Sequence, residues 1–212
     1  MLELGVKSLL AYLLGSLIGS LVMGRFRGVD IRELGSGNAG GTNALRTQGW
    51  KFALGVMVVD VGKALLAVGV LPGLDIPFVG LDPAVDREWL AVSCAAAAVA
   101  GHVYPVWYEF RGGKGAATLL GAVAVLAPAA LLPVALAWLA CVMLTGYVGL
   151  GTIVGVATLP AYLAITGTGS AALVAFGVAM AAFVAVTHRS NLARMLAGSE
   201  NRARRLWLLR PR

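Results

Sequence analysis

Long runs of apolar residues dominate this sequence and leave few folds open to it. The runs lie at 4–23, 51–71, 89–108, 115–145, 147–166 and 169–188. All but one are about 20 residues long, the length that an α-helix needs to cross a hydrocarbon core of roughly 30 Å. Hydrophobic residues make up 59% of the 212 residues and charged residues 13%, whereas soluble domains carry about 25% charged residues. The sequence therefore predicts an all-α integral membrane protein and excludes a soluble fold.

The run at 115–145 is too long for a single crossing. As a continuous helix, its roughly 30 residues would extend about 45 Å. Pro128 and Pro133 offer a break, because proline interrupts the helical hydrogen-bond pattern. A split between Ala127 and Pro128 gives two crossings, of which the first is short. The total is then about seven transmembrane helices in one domain, 1–212.

Charge predicts how the helices are oriented. With seven crossings the chain ends lie on opposite sides, and one membrane face holds the segments 24–50, 109–114, 145–148 and 189–212. That face carries most of the Lys and Arg, whereas the other has only Lys7 and Arg87. By the positive-inside rule the basic face is cytoplasmic, with the N-terminus outside and the C-terminus cytoplasmic. The net charge of +7 then indicates anionic membrane lipids as partners, and not nucleic acid.

The first cytoplasmic segment contains a glycine-rich motif. Its glycines let backbone N–H groups turn inward around an anion, and Arg46 adds a planar group that matches phosphate. A flexible, solvated loop is the alternative, but such linkers seldom carry an Asn-rich donor set that ends in Arg. The motif reads Ser36-Gly37-Asn38-Ala39-Gly40-Gly41-Thr42-Asn43-Ala44-Leu45-Arg46. We predict that it binds a phosphate group.

A second motif runs from His102 to Thr118 and contains Gly112-Gly113-Lys114-Gly115 at the start of the fourth apolar run. Its glycines are expected to expose the backbone, Lys114 supplies a point charge, and the helix that follows offers its positive N-terminus. The spacing does not match the Walker A motif. The alternative is a turn with an interfacial anchoring lysine.

The third motif, at 188–200, leaves the last apolar run. His188 and Asn191 are three residues apart, so they share a face if the helix continues. A histidine can serve as a general base or donate a hydrogen bond to a phosphate. Glu200 either contacts substrate or orders its loop through an Arg or Asn. An interfacial histidine with snorkelling arginines is the alternative for the whole motif.

Two charges, Asp60 and Lys63, lie inside the second apolar run. Each would cost roughly 2.5–3.5 kcal/mol if unpaired near the bilayer centre, and their spacing predicts an ion pair on one helix face. We interpret the pair first as a structural brace and second as a support of the loop site. His102 is predicted to be a hydrogen-bonded residue at a helix end. Cys94 and Cys141 are expected to pack as small hydrophobic residues, and no metal site is predicted.

In this order the three motifs resemble those of the bacterial acyl-phosphate glycerol 3-phosphate acyltransferases of the PlsY type, over nearly the whole chain. The resemblance implies a seven-helix membrane enzyme that moves a fatty acyl group from acyl phosphate to the 1-hydroxyl of glycerol 3-phosphate. The products would be lysophosphatidic acid and phosphate, and no cofactor is implied. We therefore expect a monomeric enzyme of phospholipid biosynthesis in the bacterial inner membrane, with its active site facing the cytoplasm.

By position, the resemblance assigns catalytic roles to Ser36, Arg46, Lys114, His188 and Asn191. The loop from Ser36 to Thr42 would hold the phosphoryl group of acyl phosphate, and the other four residues would face the glycerol phosphate. The implied substrate-binding residues are Gly37, Asn38, Gly40, Gly41, Thr42, Asn43, Gly112, Gly113, Gly115, Thr118 and Glu200. Because acyl phosphate is already activated, direct attack by the acceptor hydroxyl is the preferred mechanism, with His188 or a phosphate oxygen as base. An acyl-enzyme on Ser36 is the alternative.

The chain departs from the family pattern in three places. Gly41 stands where the family usually has Ala, and Ile18 where it has Pro. The family also tends to carry Arg and Ser where this chain has Gly146, Gly149 and Thr152. These departures leave open a paralogue that acylates another phosphorylated acceptor. A transporter of phosphorylated small molecules is a further alternative, although the sequence shows no inverted repeat and its candidate ligands lie on one face, away from the midplane.

Overall fold

The computed structural model describes residues 1–209, and in that range the chain forms ten α-helices and no β-strand. Contacts divide it into two compact units, Met1–Leu126 and Ala127–Arg212. The first is called unit 1 and the second unit 2. Arg210 and Arg212, the last two arginines of the segment 189–212, lie outside the described residues. The predicted all-helical fold is confirmed.

Unit 1 contains six α-helices, which are α1 Leu2–Gly15, α2 Gly19–Arg25, α3 Gly41–Gln48, α4 Trp50–Gly69, α5 Arg87–Val103 and α6 Ala116–Leu126. Helix α1 packs along α5, and α4 packs against α6 and against α2 and α3. Glycine permits the close approach of α1 to α5, because a Cβ at Gly15 would overlap the backbone of Ala98 and one at Gly101 the carbonyl of Tyr12. Small residues at helix contacts are typical of membrane bundles.

Unit 2 contains α7 Leu131–Thr145, α8 Val148–Thr166, α9 Ala171–Thr187 and α10 Arg189–Leu196. Helix α8 packs against both α7 and α9, and α10 contacts α8 and α9. Gly151 and Gly155 of α8 lie against Trp138 of α7, where a Cβ would come within 3.4 Å of the indole or its backbone. The short α10 lies beside the start of α8, because Asn191 of α10 packs against Gly149 in the first turn of α8.

In the described part of the chain, four helices are long and apolar enough to cross a membrane. They are Trp50–Gly73, Arg87–Tyr108, Pro128–Thr145 and Val148–Thr166. Two bent pairs, α1 with α2 and α9 with α10, raise the number to six if each pair is one span. The 11 residues of α6 extend only about 17 Å. The predicted break before Pro128 is confirmed, since the 3-10 turn Pro128–Ala130 separates α6 from α7.

Three segments differ from the expectations. The first apolar run is not one helix, because α1 ends at Gly15 and α2 begins at Gly19 with a bend of 48°. The first glycine-rich motif is not a loop throughout, because α3 begins at Gly41. The last helix does not continue through His188, where α10 leaves α9 at 50°. In the first case the backbone groups freed by the break find partners on α4, which no local pattern announces.

Candidate functional site

The first motif forms a tight loop that runs into the N-terminus of α3. Gly35 and Gly37 adopt positive φ angles of 57° and 71°, and Gly40 caps the helix. The carboxamide of Asn43 closes the loop, since Oδ1 accepts from the backbone N–H of Ser36 at 3.0 Å and Nδ2 donates to the carbonyl of Leu34 at 2.8 Å. Asn43 is 2% exposed. The buried Asn43 side chain therefore fixes the conformation of the loop through these two hydrogen bonds.

Helix α3 changes how this motif can bind an anion. Gly41, Thr42 and Asn43 occupy its first turn, where backbone N–H groups lack intrahelical acceptors and favour negative charge. Arg46 lies one turn later and is exposed, as is Thr42. Anion donors can thus come from a helix start as well as from the preceding glycines. The glycine-rich sequence predicted only a loop here.

The glycines of the second motif are held against the end of α5. The N–H of Gly113 donates to the carbonyl of His102 at 3.0 Å and that of Gly112 to the carbonyl of Val103 at 3.2 Å. A Cβ at Gly113 would overlap the His102 ring. Contrary to expectation, these two glycines do not present N–H groups to a ligand, because both groups are already bonded. They permit close packing instead.

Two other parts of the second motif remain suited to an anion. Gly115, with φ of 86°, turns the chain into α6, so that Lys114 stands directly before a helix N-terminus. Thr118, in contrast, is fully buried, and its Oγ1 makes no hydrogen bond to any residue of the described range 1–209. The expected substrate contact of Thr118 is not compatible with this arrangement, because protein encloses the side chain.

The first and second motifs are tied together at one end of unit 1. Arg32 pairs with Asp30, Nη2 to Oδ2 at 2.7 Å, and its Nη1 donates to the carbonyls of Tyr108 at 3.3 Å and Arg111 at 3.4 Å. Tyr108 also packs on a buried cluster that includes Ala39 of the first motif. The hydrogen bond from Arg32 lowers the pKa of Asp30. Sequence reasoning missed Asp30 and Arg32, although an Asp two residues before an Arg at a turn start is a usable signal.

The third motif lies in unit 2 at the junction of α9 and α10. His188 is 5% exposed, and its Nδ1 lies 2.9 Å from the carbonyl of Val184. Since a carbonyl only accepts, Nδ1 carries a proton. The backbone N–H of Asn191 bonds the His188 carbonyl at 2.9 Å, so the two residues stay adjacent across the kink.

Glu200 anchors the polar face of α10. Its Oε1 accepts from Nδ2 of Asn191 at 2.8 Å, and its Oε2 from Nε of Arg194 at 2.6 Å. The interpretation in which Glu200 orders its loop through an Arg or Asn is confirmed. Gly149 of α8 supports the same side chain, because a Cβ there would lie 2.8 Å from Cγ of Asn191. Gly149 thus leaves room for the Asn191 side chain.

Residues 200–209 fold back onto the end of α7. Backbone N–H groups of Ala203 and Leu208 donate to the carbonyls of Gly146 at 2.7 Å and Met143 at 2.9 Å. The Trp207 indole donates to the carbonyl of Leu144 at 3.1 Å. These carbonyls belong to a helix C-terminus, which lacks intrahelical donors. The segment is called the C-terminal strap, and no sequence pattern predicted it.

Arg202 of the C-terminal strap lies between two aromatic rings. Its guanidinium carbon is 4.5 Å from the Tyr147 ring centroid and 4.1 Å from that of Trp207, which is cation–π geometry. Gly146 permits this arrangement, because a Cβ there would be 3.1 Å from Arg202 Cβ. The strap therefore places an arginine beside Gly146 and Tyr147.

The predicted ion pair inside α4 is confirmed. Asp60 and Lys63 are buried, with 3.2 Å between Oδ1 and Nζ. His102, in the last turn of α5, lies 2.9 Å from Lys63 Nζ through its Nδ1. Cys94 and Cys141 are free thiols within helices. Among the described residues, no group of three His, Cys, Asp or Glu side chains could hold a metal ion.

Comparisons with known proteins agree on one family. The sequence model of the family described as glycerol-3-phosphate acyltransferase matches residues 6–198. A glycerol-3-phosphate acyltransferase of Rhodospirillum rubrum is 40% identical over 95% of this chain and 91% of its own, and one of Chlorobaculum parvum is 37% identical over 91% and 93%. The solved glycerol 3-phosphate form of PlsY (YgiH), an integral membrane glycerol 3-phosphate acyltransferase, is 33% identical over 94% of both chains with a TM-score of 0.80. Its lysophosphatidic acid form has a TM-score of 0.78.

Proposed function

Because the chain belongs to the glycerol-3-phosphate acyltransferase family, we propose that it transfers a fatty acyl group from acyl phosphate to the 1-hydroxyl of glycerol 3-phosphate. The products are lysophosphatidic acid and inorganic phosphate. The solved relatives support the acceptor and the product, since their two forms are named for glycerol 3-phosphate and lysophosphatidic acid. Acyl phosphate as the donor is the finer part of the proposal.

One observation carries the proposal. Arg32, in the segment before the first motif, donates to the carbonyls of Tyr108 and Arg111 in the second motif, which ties the segment that leads to α3 and Arg46 to the loop that bears Lys114. Two anionic substrates repel each other unless cations offset their charge. A helix start with glycines on one loop and a lysine before a helix start on the other supply two anion sites of the required kind.

In the proposed reaction the acceptor hydroxyl oxygen attacks the acyl carbon directly. The carbon–oxygen bond to phosphate breaks, and the hydroxyl proton passes to His188 Nε2 or to a phosphate oxygen. Positioning and charge balance suffice for an activated donor. Arg46, Lys114, His188 and Asn191 face the glycerol phosphate, and Ser36 lies beside the transferred group. An acyl-enzyme on Ser36 would be detected by mass spectrometry after rapid quenching, and its capture would replace direct attack.

The geometry refines the binding roles. We assign the leaving phosphate to the first motif, with Gly37, Asn38, Gly40, Gly41 and Thr42, and Gly115 binds substrate together with Lys114 at the start of α6. Asn43 and Glu200 act as positioning residues, since their polar atoms bond the loop backbone in the first case and Asn191 with Arg194 in the second. Gly112 and Gly113 act through packing.

The donor test uses purified protein with labelled glycerol 3-phosphate and one of three palmitoyl donors: palmitoyl phosphate, palmitoyl-CoA or palmitoyl acyl carrier protein. Lysophosphatidic acid is measured by mass spectrometry, with heat-inactivated protein as the control. We expect product from palmitoyl phosphate alone. Equal product from either other donor would contradict the proposal. Competition by other phosphorylated acceptors tests the paralogue alternative, and counterflow of glycerol 3-phosphate in vesicles without a donor tests the transporter alternative.

We also propose the finer topology: seven crossings by a single domain, 1–212, in the bacterial cell membrane, with the N-terminus outside and the C-terminus and active site cytoplasmic. The chain works as a monomer in contact with anionic lipids. In a background without Cys94 and Cys141, a cysteine replacing Asp75 should react with an impermeant maleimide from outside. One replacing Glu33 should react only after the membrane is opened. The opposite result would reverse the orientation.

A further inference from the structure

Three buried polar side chains meet inside unit 1, and the proposed reaction assigns a role to none of them. Asp60, Lys63 and His102 are 0%, 4% and 2% exposed. Lys63 Nζ lies 3.2 Å from Asp60 Oδ1 and 2.9 Å from His102 Nδ1. Charges at such a depth are costly and require compensation. Asp60 and Lys63 also form hydrogen bonds with the backbone between α1 and α2.

The ion pair holds the break between α1 and α2. Lys63 donates to the carbonyls of Gly15 at 2.8 Å and Leu17 at 2.7 Å. Asp60 Oδ1 accepts from the backbone N–H of Gly19 at 3.0 Å. The cation thus lies at a helix C-terminus and the anion at a helix N-terminus, which matches the partial charges of the two ends. The pair therefore fixes where α2 begins.

Helix α2 in turn contacts the first motif and so positions it. Ser20, which follows Gly19, donates from Oγ to the carbonyl of Ala39 at 2.9 Å. Ile18 and Ala39 are fully buried and pack in one cluster. Ala39 directly precedes Gly40, the N-cap of α3. A shift of α2 would therefore move the start of α3.

The His102 ring connects the ion pair to the glycines of the second motif. Since protonated Lys63 donates to Nδ1, the ring is neutral and carries its proton on Nε2. The ring packs so closely on Gly113 that a Cβ there would overlap Nε2, and the His102 carbonyl accepts from the Gly113 N–H at 3.0 Å. Gly113 directly precedes Lys114. Rotation of the His102 ring would therefore displace Gly113 and, with it, Lys114.

We propose that Asp60, Lys63 and His102 form one positioning unit that sets the spacing of the first and second motifs from within the membrane-spanning bundle. It acts on the first motif through α2 and on the second through the His102 ring. The inference rests on the proposed function only for what the two motifs bind. The spacing itself is a property of the protein without substrate.

The test compares Lys63→Met with Lys7→Met. Lys7 is the matched control, because it is also fully buried and pairs with Glu3 at 2.7 Å within the same unit. Both changes remove a buried cation from an ion pair and should lower the melting temperature in detergent. In Lys63→Met we expect kcat/KM for glycerol 3-phosphate to fall on the order of 100-fold, as for misplacement by about 1 Å. In Lys7→Met it should stay within about twofold.

A distance measurement gives a readout that needs no activity. Nitroxide labels on cysteines replacing Thr42 and Arg111, in a background without the native thiols, report the spacing of the two motifs. We expect a broadened or shifted distance distribution in Lys63→Met and an unchanged one in Lys7→Met. If wild type forms no lysophosphatidic acid but the distributions differ as expected, the proposed function fails and the positioning unit stands.

Unchanged distances together with retained kcat/KM in Lys63→Met would overturn the inference. If Lys63→Met does not fold, Asp60→Asn and His102→Asn serve in its place. His102→Asn keeps an acceptor for Lys63 and should retain more kcat/KM than His102→Leu. Equal losses in those two variants would also overturn the inference, because they would show that only the ring volume matters.

Discussion

Asn191 and Glu200 are joined by a hydrogen bond of 2.8 Å from Nδ2 to Oε1, while the second carboxylate oxygen of Glu200 holds Arg194 at 2.6 Å. One buried carboxylate thus orients a proposed catalytic amide and its neighbouring guanidinium. Because Glu200 is 9% exposed, few water molecules can replace its carboxylate as the acceptor for Asn191 and Arg194. The orientation of Asn191 depends on a residue that begins the C-terminal strap.

Glu200→Ala should lower kcat/KM for glycerol 3-phosphate on the order of 10- to 100-fold, because Asn191 and Arg194 lose their shared acceptor. Glu200→Gln keeps one acceptor oxygen and should retain more activity. Steady-state kinetics in detergent check the order of the two variants. Glu33→Ala, a change of an exposed carboxylate, is the control. Wild-type kinetics in Glu200→Ala would contradict the positioning role.

Arg46→Ala and Lys114→Ala should each reduce transfer at least about 100-fold, because each removes a cation that offsets the charge of two substrates. Arg46→Lys should recover only part of the activity, since an ammonium lacks the planar fork. Arg25→Ala is the matched control, because this arginine is also exposed on the basic segment. Monodisperse elution in detergent shows that the variants are folded. Full activity in both alanine variants would remove these residues from the site.

Two glycine variants should separate packing from phosphate binding. Gly113→Ala places a methyl group on the His102 ring and should lower both the melting temperature and the activity. Gly41→Ala places one 3.3 Å from Sδ of Met57, a flexible side chain that can shift. It should leave kcat/KM within about threefold and the melting temperature nearly unchanged. The reverse order of the two melting temperatures would contradict the packing at His102.

Trp207→Ala should loosen the C-terminal strap, because it removes the indole donor to Leu144 and one ring beside Arg202. Limited proteolysis should cut within the strap faster than in wild type. Trp207→Phe keeps a ring for Arg202 and should give an intermediate rate. Trp50→Ala, which changes an exposed tryptophan of unit 1, is the control. Equal cleavage rates in all four proteins would show that Trp207 does not hold the strap.

The Asp30–Arg32 pair should make stability depend on pH in the acidic range. Arg32 lowers the pKa of Asp30 in the folded protein, whereas unfolding returns it to about 3.9. The pair therefore stabilises the fold above the unfolded pKa, and this contribution is lost as pH falls through the folded value. The difference in melting temperature between wild type and Asp30→Asn should shrink from pH 6 to pH 3. A constant difference would show that the ion pair does not carry the effect.

Much of the fold was predictable because its determinants are local. A run of apolar residues becomes a helix in a bilayer, since every backbone group must find a partner inside the segment. Helix α6 ends before Pro128 as predicted, because proline lacks the backbone N–H that would continue the hydrogen-bond pattern of that helix. The three-residue spacing of Asp60 and Lys63 allowed their ion pair on one helix face.

Other features depended on partners distant in the sequence. The break after Gly15 contains no proline and is held by Lys63, 48 residues away. The N–H groups of Gly112 and Gly113 were expected to bind an anion but are bonded to the end of α5. The sequence showed Arg32 only as one of several basic residues in the segment 24–50, yet it bonds the backbone of the second motif.

The sequence by itself determined that the long apolar runs form helices, that one of these runs breaks before Pro128 and that Asp60 and Lys63 pair within a helix. Those properties follow from side-chain type and from the spacing of neighbours along one element. Only the tertiary structure decided which donors are already bonded and which residues support the loops. A hydrogen bond is directional and short, so its partner is set by how distant helices pack.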